Sequence, residues 1–224
     1  MKKISVWYHT RLFGGEPEIN SDFSTNLMLQ QMRLMKACGL EDAANEIMIC
    51  VNGDSENQTM ARILAPAKAQ LIENGADAKS MLRTINTLRQ WCQTHQDWLV
   101  CFWHIKGVTH PGDRLNELWR LCMERHVIRH WQKCYNDCED GFDSAGTHWL
   151  TKEVYGPQVT FPFWGGMFWW AKASFLAGLP VLPNTPRSRA DWFLSENWIG
   201  MGRYPVVNDY ACHWPGITPC SANL

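Results

Sequence analysis

The 224-residue sequence contains no run of about 18 or more apolar residues, the minimum for a membrane-crossing helix. Its densest apolar stretch, "FPFWGGMFWWAKASFLAGLP" at 161–180, is spaced by Gly and Pro and interrupted by Lys172, so no span is expected there. Charge of one sign is also lacking: 21 Lys and Arg against 22 Asp and Glu leave a net charge of −1. That removes any general attraction to DNA, RNA or anionic lipid, so a nucleic-acid partner is not favoured and only local basic patches remain. No secretory leader is visible, because Met1-Lys2-Lys3 runs straight into "ISVWYH", too short and polar for an h-region. Nor is there a P-loop, a G-x-G-x-x-G or a G-x-S-x-G.

Cysteine is not scarce. There are nine, an odd number, and Cys134-x3-Cys138 has no partner pair at zinc-finger spacing. Reduced, mostly structural thiols in a cytoplasmic protein are therefore expected. The 46% hydrophobic and 19% charged composition is that of an ordinary globular chain. With no internal repeat and no flexible linker, one domain over 1–224 is expected. Its halves differ in texture, an α/β half over 1–140 and an aromatic half over 141–224.

"ISVWYH" (4–9) reads as a buried first strand. Asp22 or Ser24 is placed to cap a helix whose apolar residues Leu27, Met28, Met32, Met35 and Cys38 suit the helical period, ending at Gly39. "EIMICVNGD" (46–54) and "AQLIENG" (69–75) read as the next two strands, in direct succession. A helix follows from Ser80, then "WLVCFWHIKG" (98–107), apolar on both faces as a central parallel strand is. A single long helix is expected from about Arg114 to Asp137. Beyond it "SAGTHWL" (144–150) and "VTFPFWGG" (159–166) read as strands or extended segments, and "MFWWAKASFLAGL" as a strand end entering a short helix. The order predicts an α/β fold with a mainly parallel central sheet.

In open α/β sheets, ligands bind beyond the carboxyl ends of the strands. Those ends carry His9 and Arg11, then Asn52 and Asp54, then His104, Lys106 and Gly107. Strand ends are polar wherever a strand leaves the core, so each residue alone says little. Together they suit a ligand with a ring to orient and a phosphate to neutralise. Alternation places His104 and Lys106 on one side if the strand persists that far. His126 and His130 are four apart, but "HVIRH" has no intervening Glu and no third metal ligand. Arg120, Arg125, Arg129 and Lys133 read as a solvated helix face, or as a surface meeting an anionic acceptor.

The glycines of the aromatic stretch would let backbone pass close beneath a flat ligand, and Trp and Phe faces commonly wall sugar sites. Core packing accounts for part of the same rings. Downstream, "RSRADWFLSENWIG" (187–200) sets Asp191 and Glu196 beside Trp192 and Trp198, a carboxylate suited to general-base work.

"WHIKGVTHP", "LWRLCMERHVIRHWQKC", "FWGGMFWWAKASFLAGLP" and "ENWIG", in that order, resemble a group of small bacterial glycosyltransferase-like proteins. Those carry an H-T-K-G element, a W-R-x-x-M helix, an F-S-G-N-F-W-W-A segment and a late E-x-W. The H-x-K element is also similar to that of rhamnan-synthesis-type polysaccharide proteins. The likeness spans residues 98 to 200 or so. It implies a compact GT-A-like (Rossmann-like) domain, a nucleotide-sugar donor and a hydroxyl-bearing acceptor such as a glycan or polysaccharide. It matches His104 and Lys106 to the H-x-K element and Trp119, Arg120 and Met123 to the helix. Gly165, Phe168, Trp169 and Trp170 match the aromatic segment, Glu196 and Trp198 the E-x-W. Trp164-Gly165-Gly166-Met167 stands where the group has S-G-N, removing a hydroxyl and an amide.

On this reading His9, Arg11, Asn52, Asp54, His104, Lys106 and Arg120 hold the donor. Gly165, Gly166, Trp169, Trp170 and Trp198 line the sugar or acceptor site, and Glu196, or failing it Asp191, is the base. Without a D-x-D, Lys106, with His104 or Arg120, offsets the diphosphate charge. A divalent metal (Mn²⁺ or Mg²⁺) stays open as a cofactor, with Asp54 or His213 as its ligand. Two alternatives are a phage-type DNA-base glycosyltransferase and a non-catalytic carbohydrate- or nucleotide-binding module.

Overall fold

The computed structural model describes residues 2–14, 20–75, 81–157, 159–184 and 189–210, with backbone alone at 155 and 189–192. The strands are β1 (Ile4–Thr10), β2 (Glu46–Asn52), β3 (Gln70–Gly75), β4 (Leu99–His104), β5 (Ser144–Gly146), β6 (Trp149–Leu150), β7 (Phe163–Trp164), β8 (Trp169–Lys172) and β9 (Val207–Asp209). Among the described residues seven of them form one sheet in the order β3-β2-β1-β4-β8-β5-β9, and β6 pairs with β7 apart from it. β1, β2, β3 and β4 are mutually parallel, β8 is antiparallel to both β4 and β5, and β9 is parallel to β5. All of the sheet except β8 therefore runs one way, and the fold is α/β with a mainly parallel central sheet. The carboxyl ends of β4 and β5 come to the same edge, with the start of β8 between them.

The helices are α1 (Ser21–Ala37), α2 (Leu40–Ala43), α3 (Ser55–Leu64), α4 (Leu82–Thr94), α5 (Arg114–Met123), α6 (Trp131–Glu139), α7 (Lys152–Tyr155), α8 (Ala173–Ala177) and α9 (Arg189–Asn197). They cover both faces of the sheet, which is why its central strands β1 and β4 are mostly apolar and buried along nearly their whole length. Val6, Tyr8, Cys101, Trp103 and Trp170 pack with Met28 and Met35 of α1 and with Trp131 of α6. Trp7, Phe102 and Trp169 point the other way, to Ile85 and Leu88 of α4 and Phe175 and Leu176 of α8.

Four local expectations change. The cap of α1 is Asn20 rather than Asp22 or Ser24: its side chain accepts from the Phe23 N–H at 2.9 Å. Ser24 is instead buried and donates to the Leu12 carbonyl at 2.6 Å. Between β2 and β3 lies α3, where no helix is expected; only Asn57 and Ala61 of it are buried, too few to show a period. Its legible sign is the cap, Asp54, which accepts from the Asn57 N–H at 3.2 Å. The long helix is broken, since α5 and α6 are joined by a π-helical turn over Glu124–Arg129. β4 stops at His104, because the Lys106 N–H folds back onto the His104 carbonyl at 2.8 Å.

The aromatic block divides between the two cores, not between core and pocket. Trp169 stacks on Phe102 (4.9 Å, 14°) and is 1% exposed. Trp170, fully buried on the other face, stacks on Trp131 (6.0 Å, 16°) and donates its indole N–H to the Val127 carbonyl at 2.9 Å. β8 lies inside the sheet with both faces covered, so adjacent rings on it have no route to solvent.

The described cysteines, Cys134 and Cys138 among them, are free thiols. Burial pushes the Cys50 thiol up to about 12. Among the described residues no helix is long and apolar enough to cross a membrane.

Candidate active site at the carboxyl edge of the sheet

His9 and His104 are register partners on neighbouring strands at this edge. His9 Nδ1 lies 2.8 Å from the Thr84 hydroxyl of α4. Asn74, at the end of β3, donates to that hydroxyl and to the Asn52 side-chain oxygen, each at 2.8 Å. Asn52 and His9 thus belong to one buried polar chain that crosses β2, β3, α4 and β1. Such a chain holds ring orientation well, because every broken link leaves a desolvated group.

Burial pushes His9 down to about 3 from an ordinary 6.5. Its folded value lies below its unfolded one, so its contribution to stability is complete above pH 6.5 and is lost as pH falls toward 3. The loss is about 1.4 kcal/mol per pH unit within that window. His9→Asn should therefore flatten the acid side of the stability–pH curve measured by urea unfolding. An unchanged slope would mean that His9 is not buried neutral.

Where the chain leaves β2, Gly53 (φ +116°) allows Asn57 to approach; a Cβ there would lie 2.5 Å from the Asn57 Cγ. Asn57 accepts from the Leu12 and Phe13 N–H groups at 2.8 and 2.9 Å, clamping the loop after β1. It also donates to Asp54 Oδ1 at 3.0 Å and holds that exposed carboxyl below its usual range. Asn57 is a site-shaping residue that the sequence reading missed. Asp54 serves first as the α3 cap. Arg11 is half-buried and donates to the Phe13 carbonyl at 3.4 Å, so its guanidinium lies along this loop.

The edge is densest after β4. His104 Nε2 lies 3.0 Å from the Gly166 carbonyl, and a carbonyl only accepts, so Nε2 carries the proton. Burial, then the Lys106 charge and His9, hold this imidazole well below its ordinary 6.5. His104 is therefore neutral, with Nδ1 a bare acceptor. That removes it as a partner for a diphosphate and suits it to a hydroxyl or N–H.

The Lys106 ammonium lies 4.5 Å from the centre of the Trp119 ring. Burial raises the Glu196 carboxyl above its usual range, and Lys106 pulls it back down. The Lys106 charge just after β4 thus acts on a carboxyl carried by α9. Trp119 also lies against the Gly165–Gly166 turn. A Cβ at Gly165 would meet Leu150 at 2.8 Å and Trp119 at 3.2 Å, and one at Gly166 (φ +81°) would meet Met123 at 2.5 Å. The glycines admit protein side chains, not a ligand.

His148, just beyond β5, has a left-handed backbone (φ +63°) and meets the Trp119 ring at 5.9 Å. Its ring nitrogens and the Trp119 Nε1 are enclosed without protein partners among the described residues. Burial, then His126, lowers the imidazole, so it too is neutral. No feature of "SAGTHWL" marks this residue. It reaches the edge only because β5 is parallel to β4.

Several assigned residues lie elsewhere. Arg120 is 7% exposed and its Nη1 donates to Glu124 Oε1 at 2.7 Å, an oxygen that also accepts from Gln31 at 2.8 Å. Its charge is consumed internally, so it does not offset a diphosphate. Trp169, Trp170 and Trp198 are core, the last donating to the Pro180 carbonyl at 2.8 Å. The half-buried ring at the edge is Trp119. The Asp191 side chain and His213 lie outside the described residues.

Residues 12–222 match the model of the family described as Domain of unknown function (DUF8361). The chain belongs to this family. Of the edge residues above, only His9 and Arg11 precede the family match. No curated protein matches the sequence. Similar solved structures include CMP:2-keto-3-deoxy-manno-octonic acid synthetase complexed with CTP, with 10% identity, a TM-score of 0.47, and 96% of this chain and 93% of that one covered. A second is 4-diphosphocytidyl-2C-methyl-D-erythritol synthase, with 12% identity, a TM-score of 0.39 and 79% and 78% covered. A third, provisionally described as a nucleotide-diphospho-sugar transferase, is from Desulfovibrio desulfuricans G20, with 12% identity, a TM-score of 0.44 and 94% and 80% covered. At such scores and identities these likenesses assign no reaction to this family member, and its chemistry is read from its side chains.

Proposed function

We propose that this protein is a GT-A-like glycosyltransferase of one domain that moves a sugar from a nucleotide-sugar donor to a hydroxyl acceptor. The observation that carries the reading is Lys106, held 4.5 Å from the centre of the Trp119 ring at the edge that also holds the neutral His104, with its charge acting on the burial-raised Glu196 carboxyl. A glycosyl transfer needs a cation for the departing diphosphate, a base for the incoming hydroxyl and neutral groups for the sugar, and this edge supplies each. The nucleotide lies over the ends of β1 and β2, within reach of Arg11. Lys106, steadied over Trp119, offsets charge as it develops on the leaving diphosphate. His104 Nδ1 accepts from a donor-sugar hydroxyl, and Trp119 and His148 bound the acceptor side. In an inverting reaction the acceptor oxygen attacks the anomeric carbon, the bond from that carbon to the diphosphate oxygen breaks, and Glu196 takes the hydroxyl proton.

Incubation with a panel of nucleotide sugars, reading released nucleotide with and without EDTA, tests the reaction class. Release that survives EDTA supports charge neutralisation by Lys106 and Arg11. Activity abolished by chelation and restored by Mn²⁺ would return Asp54 and His213 as metal ligands. Failure to bind or turn over any donor would overturn the reading.

Lys106→Ala carries two linked expectations. Diphosphate affinity should fall by about 1.5–3 kcal/mol, the worth of a charge-assisted contact, while the bare nucleoside binds as before. Because Lys106 lowers the Glu196 carboxyl, its removal lets that pKa rise, and the acid limb of the rate–pH profile should move to higher pH. Unchanged affinity in a calorimetric titration would take Lys106 out of the donor site.

A further inference from the structure

A groove of about 330 Å³ lies between α1 and the π-helical turn, lined by Leu34, Leu121, Glu124, Arg125, Arg129 and His130. It is separate from the edge site. Trp119 meets Lys106, whereas Leu121, two residues on, is 46% exposed.

The charge in this groove is unbalanced. Glu124, its one carboxylate, is already engaged by Arg120 at 2.7 Å and Gln31 at 2.8 Å. Arg125 and Arg129 are exposed and have no carboxylate partner among the described residues, and His130 is exposed beside them. A protein of net charge −1 therefore carries a concentrated basic groove. Self-repulsion of this kind costs stability unless an anion relieves it.

The backbone points the same way. The turn closes with His130 N–H on the Arg125 carbonyl at 3.0 Å, a wide loop spanning five residues. Isolated π turns are less favourable than the α-helix and are found often at functional sites. Here the turn carries both guanidiniums and His130 caps it, so all three line the same groove.

Shape narrows the ligand. The groove sits at the small end of the range for small-molecule sites, about 300–1,000 Å³, and is too small to seat a helix or a strand. Guanidinium forks match phosphate oxygens in pairs, and Leu34 and Leu121 offer apolar walls for whatever carries the phosphate. We infer that this groove is a second ligand site, one that takes a phosphate group borne on a small organic body, either a soluble phosphate ester or a lipid headgroup. It is independent of the donor site and stands or falls apart from it.

The test titrates the full chain with phenyl phosphate, with inorganic phosphate, with benzyl alcohol as the uncharged control, and with phosphatidylcholine vesicles containing or lacking phosphatidic acid. Phenyl phosphate should bind more tightly than inorganic phosphate, and benzyl alcohol should not bind. The Arg125→Gln/Arg129→Gln double variant should weaken phosphate-ester binding about tenfold or more, as loss of two charge-assisted contacts implies. Lys106→Ala should leave it unchanged. Backbone amide shifts of the unaltered protein should move at Arg125, Arg129 and His130, which answers the question even if the double variant folds poorly. Binding only to phosphatidic acid vesicles, lost in the double variant, upholds the site with a lipid source. No binding by the unaltered protein, equal binding by the double variant, or loss through Lys106→Ala alone overturns it.

Discussion

Glu196→Gln should keep the fold and lose turnover by roughly 10²–10⁴-fold, the contribution of a positioned general base. The glutamine keeps the shape of the carboxyl but cannot take a proton. Glu196 is half-buried on α9, so an isosteric amide is accommodated at little cost. Binding of the nucleotide sugar should survive, which separates catalysis from mere recognition. The pH profile of the unaltered enzyme adds a second check. Burial holds the Glu196 carboxyl above its usual range, so the acid limb should lie above the ordinary carboxylate value and vanish in the glutamine variant. Turnover unaltered in Glu196→Gln would leave either a retaining mechanism, which needs no such base, or another residue in that role. Donor binding with no turnover by the unaltered protein would instead make this a binding module.

Trp170→Ala should cost roughly 3–5 kcal/mol of stability, the usual range for deleting a buried aromatic ring. The indole fills the space against Trp131 and Tyr135 and satisfies the Val127 carbonyl, so truncation opens a cavity and strands an acceptor together. Trp169→Ala should cost a similar amount on the opposite face, where the ring stacks on Phe102. Both effects belong in denaturant midpoints. Nucleotide-sugar affinity, measured where the variants remain folded, should stay near that of the unaltered protein. A stable Trp169→Ala protein that had lost sugar binding would restore this ring to the ligand site.

Local chemistry made much of this protein legible before any tertiary contact was known. The parallel half of the sheet followed from β-branched and aromatic runs, because a strand covered on both faces is mostly apolar, as β1 is from Ile4 to Tyr8 with Ser5 the exception. The polar ends of β1, β2 and β4 followed from the same rule, since a ligand edge is where such strands leave the core. The action of the Lys106 charge on Glu196 was legible only as two separate residues 90 positions apart in sequence. What sequence periodicity does not carry is which side of an element ends up covered. Trp169 and Trp170 alternate as expected, yet whether alternation means core and pocket or two cores depends on β8 lying between β4 and β5. Arg120 has the composition of a phosphate ligand, yet Glu124 four residues on is its helical neighbour; packing against α1 adds the burial and the Gln31 bond that hold the pair. His148 and Trp119 meet because β5 runs parallel to β4 and brings its end to the same edge. The alternation or period of side chains along a single strand or helix is set by that segment's own backbone and residues. Convergence of side chains from distant segments is set by strand order, and strand order is a property of the whole chain.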